Sequence, residues 1–108
     1  MALAEKKCNA CITATRALNR AEFEPLLSEI SGWDVVSDHH LFKSFKTRNF
    51  KKALLLANQI GELAETEGHH PDLLVSWGEL KIELWTHKVD GLTEADFVLA
   101  AKIDRIQL

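Results

Sequence analysis

No run of apolar residues in this 108-residue chain approaches the roughly 20 that a membrane-spanning helix needs. No block of lysine or arginine stands out, and the net charge is −3. Both features argue against a primary role in binding nucleic acid or an anionic membrane surface. The opening residues, M-A-L-A-E-K-K-C, lack the basic region and apolar core of a secretory signal. The expected location is the cytoplasm, with no membrane and no direct nucleic-acid partner. Internal repeats, low-complexity tracts and Gly/Ser linkers are also missing, so no second domain is expected. Cysteine is scarce: only Cys8 and Cys11, in C-N-A-C. A C-x-x-C is half of a zinc site or a redox pair. Zinc needs two more ligands, and a redox pair should open a helix after a strand; the sequence offers neither context. The two thiols are expected to sit reduced in a loosely held N-terminal arm, residues 1–18, ahead of one domain at 19–108. Zinc shared with histidines and a regulatory disulfide are the alternatives.

What the chain does contain is ordinary for a globular domain: 46 % hydrophobic and 27 % charged residues. This length allows a real core yet leaves oligomerisation useful. Phe23, Leu26, Leu27 and Ile30 form a helical stripe over 19–31, with Asn19 and Glu22 spaced as a capping box. Pro25 should start that helix at Glu24–Pro25 or kink it. Trp33 to Val36 and Leu41 to Lys46 read as strands around a polar Asp38-His39-His40 turn. Phe42 and Phe45 then fall on opposite faces unless a bulge intervenes. Asn49 caps a second helix whose stripe is Phe50, Ala53, Leu54, Ala57, Ile60 and Ala64. Leu56 and Leu63 lie off that stripe, so the helix either has a wide core face or is buried a second time in a homo-oligomer.

Leu73 to Trp77 and Leu80 to His87 read as a hairpin around Gly78-Glu79, a type II′ turn. If Trp77 faces Leu80, then Val75 faces Ile82 and Leu73 faces Leu84, an all-apolar face. Leu74 with Glu83 and Ser76 with Lys81 make the other face. That register places His70 opposite His87. Thr93 to Asp96 is a capping box opening a last helix, with Leu99, Ala100, Ile103 and Ile106 inward. The fold class is α+β: one domain, order α-β-β-α-β-β-α, a four-stranded antiparallel sheet with helices on one face.

The stretch E-G-H-H-P-D (67–72) therefore stands out. Gly68 can end the helix, Pro71 stiffens the exit, and His69, His70 and His87 meet at one end of the hairpin. Imidazole, with a reference pKa of about 6.5, gives and takes protons near neutrality. Three histidines also match one kind of catalytic zinc site, so a zinc-dependent hydrolase is a competing reading. Adjacent histidines point apart, which makes shared ligation harder. His39 and His40 are expected to be solvated.

These residues resemble a family signature. H-H-P (69–71), Trp77, His87 and Asp96, with Glu65 four residues before His69, are spaced like the signature of the pterin-4a-carbinolamine dehydratase family. G-L-T-E-A-D (91–96), Gly32-Trp33, and F-K-S-F-K (42–46) followed by Phe50 also match; the similarity spans roughly residues 20–104. The resemblance implies dehydration of 4a-hydroxytetrahydropterin to a quinonoid dihydropterin, which recycles the pterin of aromatic amino-acid hydroxylases. It implies His69 and His87 as the acid/base pair and His70 as a pterin-binding or orienting residue. Gly68, Trp85, Thr86 and Lys88 would line the substrate site, with Glu65, Pro71 and Asp96 in support. No metal or other cofactor is implied. The implied partners are the pterin, further copies of the chain (dimer or tetramer) and an aromatic amino-acid hydroxylase. A second function as a dimerisation cofactor or hydroxylase-binding module is the alternative.

Overall fold

Residues 2–106 are described by a computed structural model. Two short helical turns, Leu3–Glu5 and α1 (Ala10–Thr13), lie in the arm. Then follow α2 (Arg20–Leu27), β1 (Asp34–Val36), β2 (His40–Lys46), α3 (Phe50–Glu67), β3 (Asp72–Ser76), β4 (Glu79–Leu84), a 3-10 turn at His87–Val89, and α4 (Glu94–Asp104). The expected α-β-β-α-β-β-α order is present from α2 onward. The strands form one antiparallel sheet ordered β1-β2-β4-β3. Its inner face, with Leu41, Leu80, Ile82 and Leu84, shares a single core with Phe23 of α2, Leu56 and Ile60 of α3, and Phe97 and Leu99 of α4. Among the described residues no helix is long and apolar enough to cross a membrane.

Local details differ from the sequence reading for identifiable reasons. Both halves of the Asn19–Glu22 capping box form at 2.9 Å, so α2 starts at Arg20 and Pro25 lies inside it. Pro25 and Ala21, whose carbonyl it leaves without a helical partner, are both exposed, so water can satisfy that oxygen. The helix ends at Leu27, and a turn carries the chain on to Gly32. Along β2 the pairing with β4 runs from Leu41 to Lys46 without a bulge, so Phe42 and Phe45 do face opposite ways. Lys43 shares the inner face with Phe45 but reaches the rim, where Nζ donates to the Ser31 carbonyl and to Asp104, each at 2.8 Å.

The hairpin turns one residue earlier than expected. Ser76 pairs with Glu79 around Trp77-Gly78, so Val75 faces Leu80 and Leu73 faces Ile82. Every pairing is displaced by two positions, which keeps each side chain on its own face. Apolar sorting therefore cannot separate the two registers. The turn decides: the positive φ (76°) falls at Gly78 as the second turn residue, whereas a II′ turn needs it at the first. Trp77 is left 74 % exposed at the tip, not on the inner face.

The buried stripe of α3 is Ala53, Leu56, Ala57, Ile60 and Ala64. Leu56 is thus core, while Phe50 and Leu54 from the expected stripe are exposed, together with Leu55. In α4 the residues from Ala95 to Ala100 are all buried, more than one inner face would require. The arm explains this. It is not loosely held: Leu3 and Cys8 are both 3 % exposed and join the core cluster. Lys102 at the end of α4 donates to the Ala4 carbonyl at 3.0 Å, and Lys6 pairs with Glu94 at 3.3 Å. A helix covered on both sides is apolar nearly all round.

Candidate active site

The α3–β3 corner is made by Gly68. It takes a left-handed φ of 68°, and its N–H and that of His69 both donate to the Ala64 carbonyl, at 2.8 and 3.2 Å. A Cβ would strain that conformation, so glycine suits the position. The sharp stop sends two neighbouring side chains to different places: His69 is 6 % exposed, and His70 is at the surface.

His69 Nε2 lies 2.6 Å from Asp96 Oδ1. Asp96 is fully buried on the first turn of α4. Its Oδ2 accepts from the Thr93 N–H and from Thr86 Oγ1, both at 2.9 Å. The expected cap is therefore present, and the same carboxylate also holds a histidine. A carboxylate only accepts, so Nε2 of His69 carries the proton and Nδ1 is the ring atom left for a ligand. His70 Nε2 pairs with Glu65 Oε2 one turn back on α3, both side chains well exposed.

His87 does not end the last strand. β4 stops at Leu84, and His87 opens the 3-10 turn, so it does not face His70 across the hairpin. It reaches the corner from that turn, stacked on Trp85 with ring centroids 4.4 Å apart and planes 28° apart. An isolated bridge between Thr86 and Gly91 closes the base of the turn. Gly68, His69, His70, Pro71, Trp85, Thr86, His87 and Lys88 all border one open cleft of about 350 Å³, within the range of small-ligand sites. Asp96 and Glu65 lie outside its lining and hold two of the imidazoles. Asp72 and Ile12 also border the cleft, and sequence reasoning missed both. Ile12 follows the C-N-A-C motif with no periodic pattern to mark it.

His39 and His40 are not a solvated turn. His39 Nδ1 and His40 Nδ1 are 3.1 Å apart, His39 Nε2 bonds Asp90 at 2.8 Å, and His40 Nε2 is 3.4 Å from Glu83. Both rings pack on Trp85, with centroids 5.3 and 5.9 Å away. Asp90 ends the turn that carries His87, with a left-handed φ of 50°. Among the described residues no three His, Cys, Asp or Glu side chains are grouped to hold a metal ion.

The sequence model of the pterin 4 alpha carbinolamine dehydratase family matches residues 16–106. The chain belongs to that family. Membership makes it an enzyme of the dehydratase class, a carbon–oxygen lyase. A relative from Alkaliphilus metalliredigens is 55 % identical over 97 % of this chain and 96 % of its own length. One from Rubrobacter xylanophilus is 51 % identical over 96 % and 97 %. Both carry the family's name. A crystal structure described as a transcriptional coactivator/pterin dehydratase from Brucella melitensis superposes with a TM-score of 0.76 at 29 % identity, covering 82 % of this chain and 96 % of that one. The dehydratase fold thus accounts for the sheet and its three main helices, and the family match begins after α1.

Proposed function

We propose that this chain removes water from 4a-hydroxytetrahydropterins by histidine acid/base catalysis, with His69 and His87 moving the protons. The observation that carries the reading is the convergence of His69, His70 and His87 on one cleft in a chain of this family. In the reaction the hydroxyl on carbon 4a takes a proton and leaves as water. The proton on ring nitrogen 5 goes to an acceptor, and its bonding pair forms the double bond between carbon 4a and nitrogen 5. Nothing is oxidised or reduced overall, so two imidazoles suffice and no redox cofactor or metal is called for.

Each residue has a part that its surroundings favour. His69, fixed through Asp96 and Thr86, offers Nδ1 from a rigid mount. His87 shares the cleft mouth with Trp85, whose ring suits stacking on a flat heterocycle. His70, steadied by Glu65, binds or orients the pterin. Gly68, Pro71, Thr86 and Lys88 complete the wall. The cellular task is recycling the pterin cofactor of an aromatic amino-acid hydroxylase in the cytoplasm. The test is the decay of chemically made 4a-hydroxytetrahydropterin. The protein should accelerate it, and His87→Ala should cut the rate roughly 100-fold. An unchanged rate would remove His87 from the mechanism.

A second role as a protein-binding module has one observation in its favour. Phe50, Leu54 and Leu55 expose an apolar stripe on α3 that another chain could cover, a further copy first of all. The Brucella protein's description as a coactivator is in line with such a role. Light scattering on the purified chain would show a dimer or tetramer, and a monomer would count against it.

A further inference from the structure

Ile12 is 70 % exposed, one of the most exposed large apolar side chains in the molecule, yet it borders the cleft of the three histidines. It contributes little to holding the arm, because Leu3 and Cys8 do that from the core. Its position is nevertheless fixed from both sides of the cleft. On one side the Cys8 N–H donates to Glu67 Oε1 at 3.3 Å, one residue before the Gly68 corner. On the other, Lys88 Nζ, next to His87, donates to the Ile12 carbonyl. The arm is therefore tied down beside the Gly68 corner and at Lys88, and α1 presents the aliphatic Ile12 side chain to the cleft.

We infer that the N-terminal arm is a wall of the binding cleft and that Ile12 contacts the bound pterin, a specificity-determining residue contributed from outside the part of the chain that the family model covers. The inference rests on the dehydratase reading and deepens it. Trp85 and Pro71 supply the other apolar surface of the cleft, while the remaining lining is largely polar. A ligand seated there covers Ile12 and withdraws its methyl groups from water. An uncharged aliphatic substituent or the ring face of a pterin gains from that contact, and a charged substituent does not. Lys88 is occupied at the arm, so its charge serves to hold Ile12 in place.

Ile12 lies in solvent, so its variants should fold as the parent does. The test is a titration of the full chain with 7,8-dihydrobiopterin, a product-like probe that does not react, read by tryptophan fluorescence, alongside steady-state dehydration. Ile12→Ala should weaken binding about 5-fold, the loss expected for roughly 40 Å² of apolar contact, and Ile12→Asp more than 10-fold. Ile12→Val should stay close to the parent. The losses should fall on KM, with kcat held within about 2-fold, because no proton-transfer group is touched. Lys88→Met, which releases the clasp, should reproduce part of the Ile12→Ala loss. Equal binding by parent, Ile12→Ala and Ile12→Asp would overturn the inference while leaving the dehydratase reading intact. A parent chain that neither binds the probe nor turns over substrate would overturn both.

Discussion

The chain carries the same dipeptide, His-His, at two corners, and the backbone makes different things of it. After α3, the left-handed Gly68 separates the pair: His69 enters the interior against Asp96, and His70 stays outside on Glu65. Between β1 and β2, Ser37 and Asp38 both take positive φ (53°), the pattern of a type I′ turn, and the two rings stay together. His39 and His40 bond to each other, and Asp90 and Glu83 flank them. The first pair meets the cleft directly. The second touches it only through Trp85 and through Asp90 at the end of the His87 turn. Residue type alone does not make a histidine functional; the neighbouring backbone decides which partners each ring meets, and those partners decide which ring nitrogen remains for a ligand.

The largest expected effect tests the buried half of that contrast. Asp96 accepts from His69, Thr86 and the Thr93 amide at once, with no exposure to water. Asp96→Ala strands these donors, and the loss of a cap with unsatisfied buried groups should cost about 3 kcal/mol in a urea titration. Asp96→Asn is the sharper probe. It keeps one acceptor oxygen, so part of the stability returns, but its NH2 must face either the cap donors or His69. Facing the donors it spoils the cap; facing His69 it donates to Nε2 and moves the ring proton to Nδ1, the atom left for a ligand, and in either case turnover should remain low. Full activity in Asp96→Asn would mean that His69 needs no carboxylate behind it.

The second pair should matter less. His39→Ala removes the link to Asp90 and one of the rings beside Trp85, but the core and the cleft lining remain. Turnover should fall about 3- to 10-fold, far short of the effect of replacing a proton-transfer group. His39→Gln, which can still donate to Asp90, should recover most of it. If His39→Ala were as damaging as His69→Ala, the division between a direct and a supporting pair would collapse.

The sequence was legible wherever a pattern had one physical solution. Helix caps at Asn19 and Thr93, the α+β order and the glycine corner follow from local chemistry that tertiary contacts did not override. The histidine cleft also emerged, but by a different route: the anticipated register was two residues off, and His87 arrives from a 3-10 turn, not a strand end. A period-two pattern fixes which face a residue takes and leaves shifts of two undetermined. The rotation of α3 is not legible in the sequence because its exposed Phe50, Leu54 and Leu55 are as apolar as its buried side. The arm carries the weakest sequence signal of all. Nothing periodic marks Leu3, Cys8 or Ile12: Leu3 and Cys8 join a core shared with α4, some ninety positions away, and Ile12 is held at the cleft by Lys88.

The smallest effect concerns a second capping carboxylate and sharpens the contrast between a buried cap and an exposed one. Glu22 stands at the third position of α2 as Asp96 does in α4, but in solvent, gripped by Arg16 at 2.7 and 2.8 Å and by the Asn19 amide at 2.9 Å. The Arg16 hydrogen bonds, with help from the Asn19 N–H, hold its carboxyl down at about 2, below the ordinary value of 4.5. A depressed carboxylate stabilises the fold above its unfolded value and loses that contribution as pH falls through the folded one. The stability difference between the parent and Glu22→Gln should therefore be constant above about pH 5, shrink from about pH 4.5 to 2, and vanish below. Denaturant titrations of both proteins across that range would show it, and added salt should reduce the difference, because the pair is exposed. A difference that persisted undiminished at pH 2 would mean that the cap works through shape and packing, without the charge.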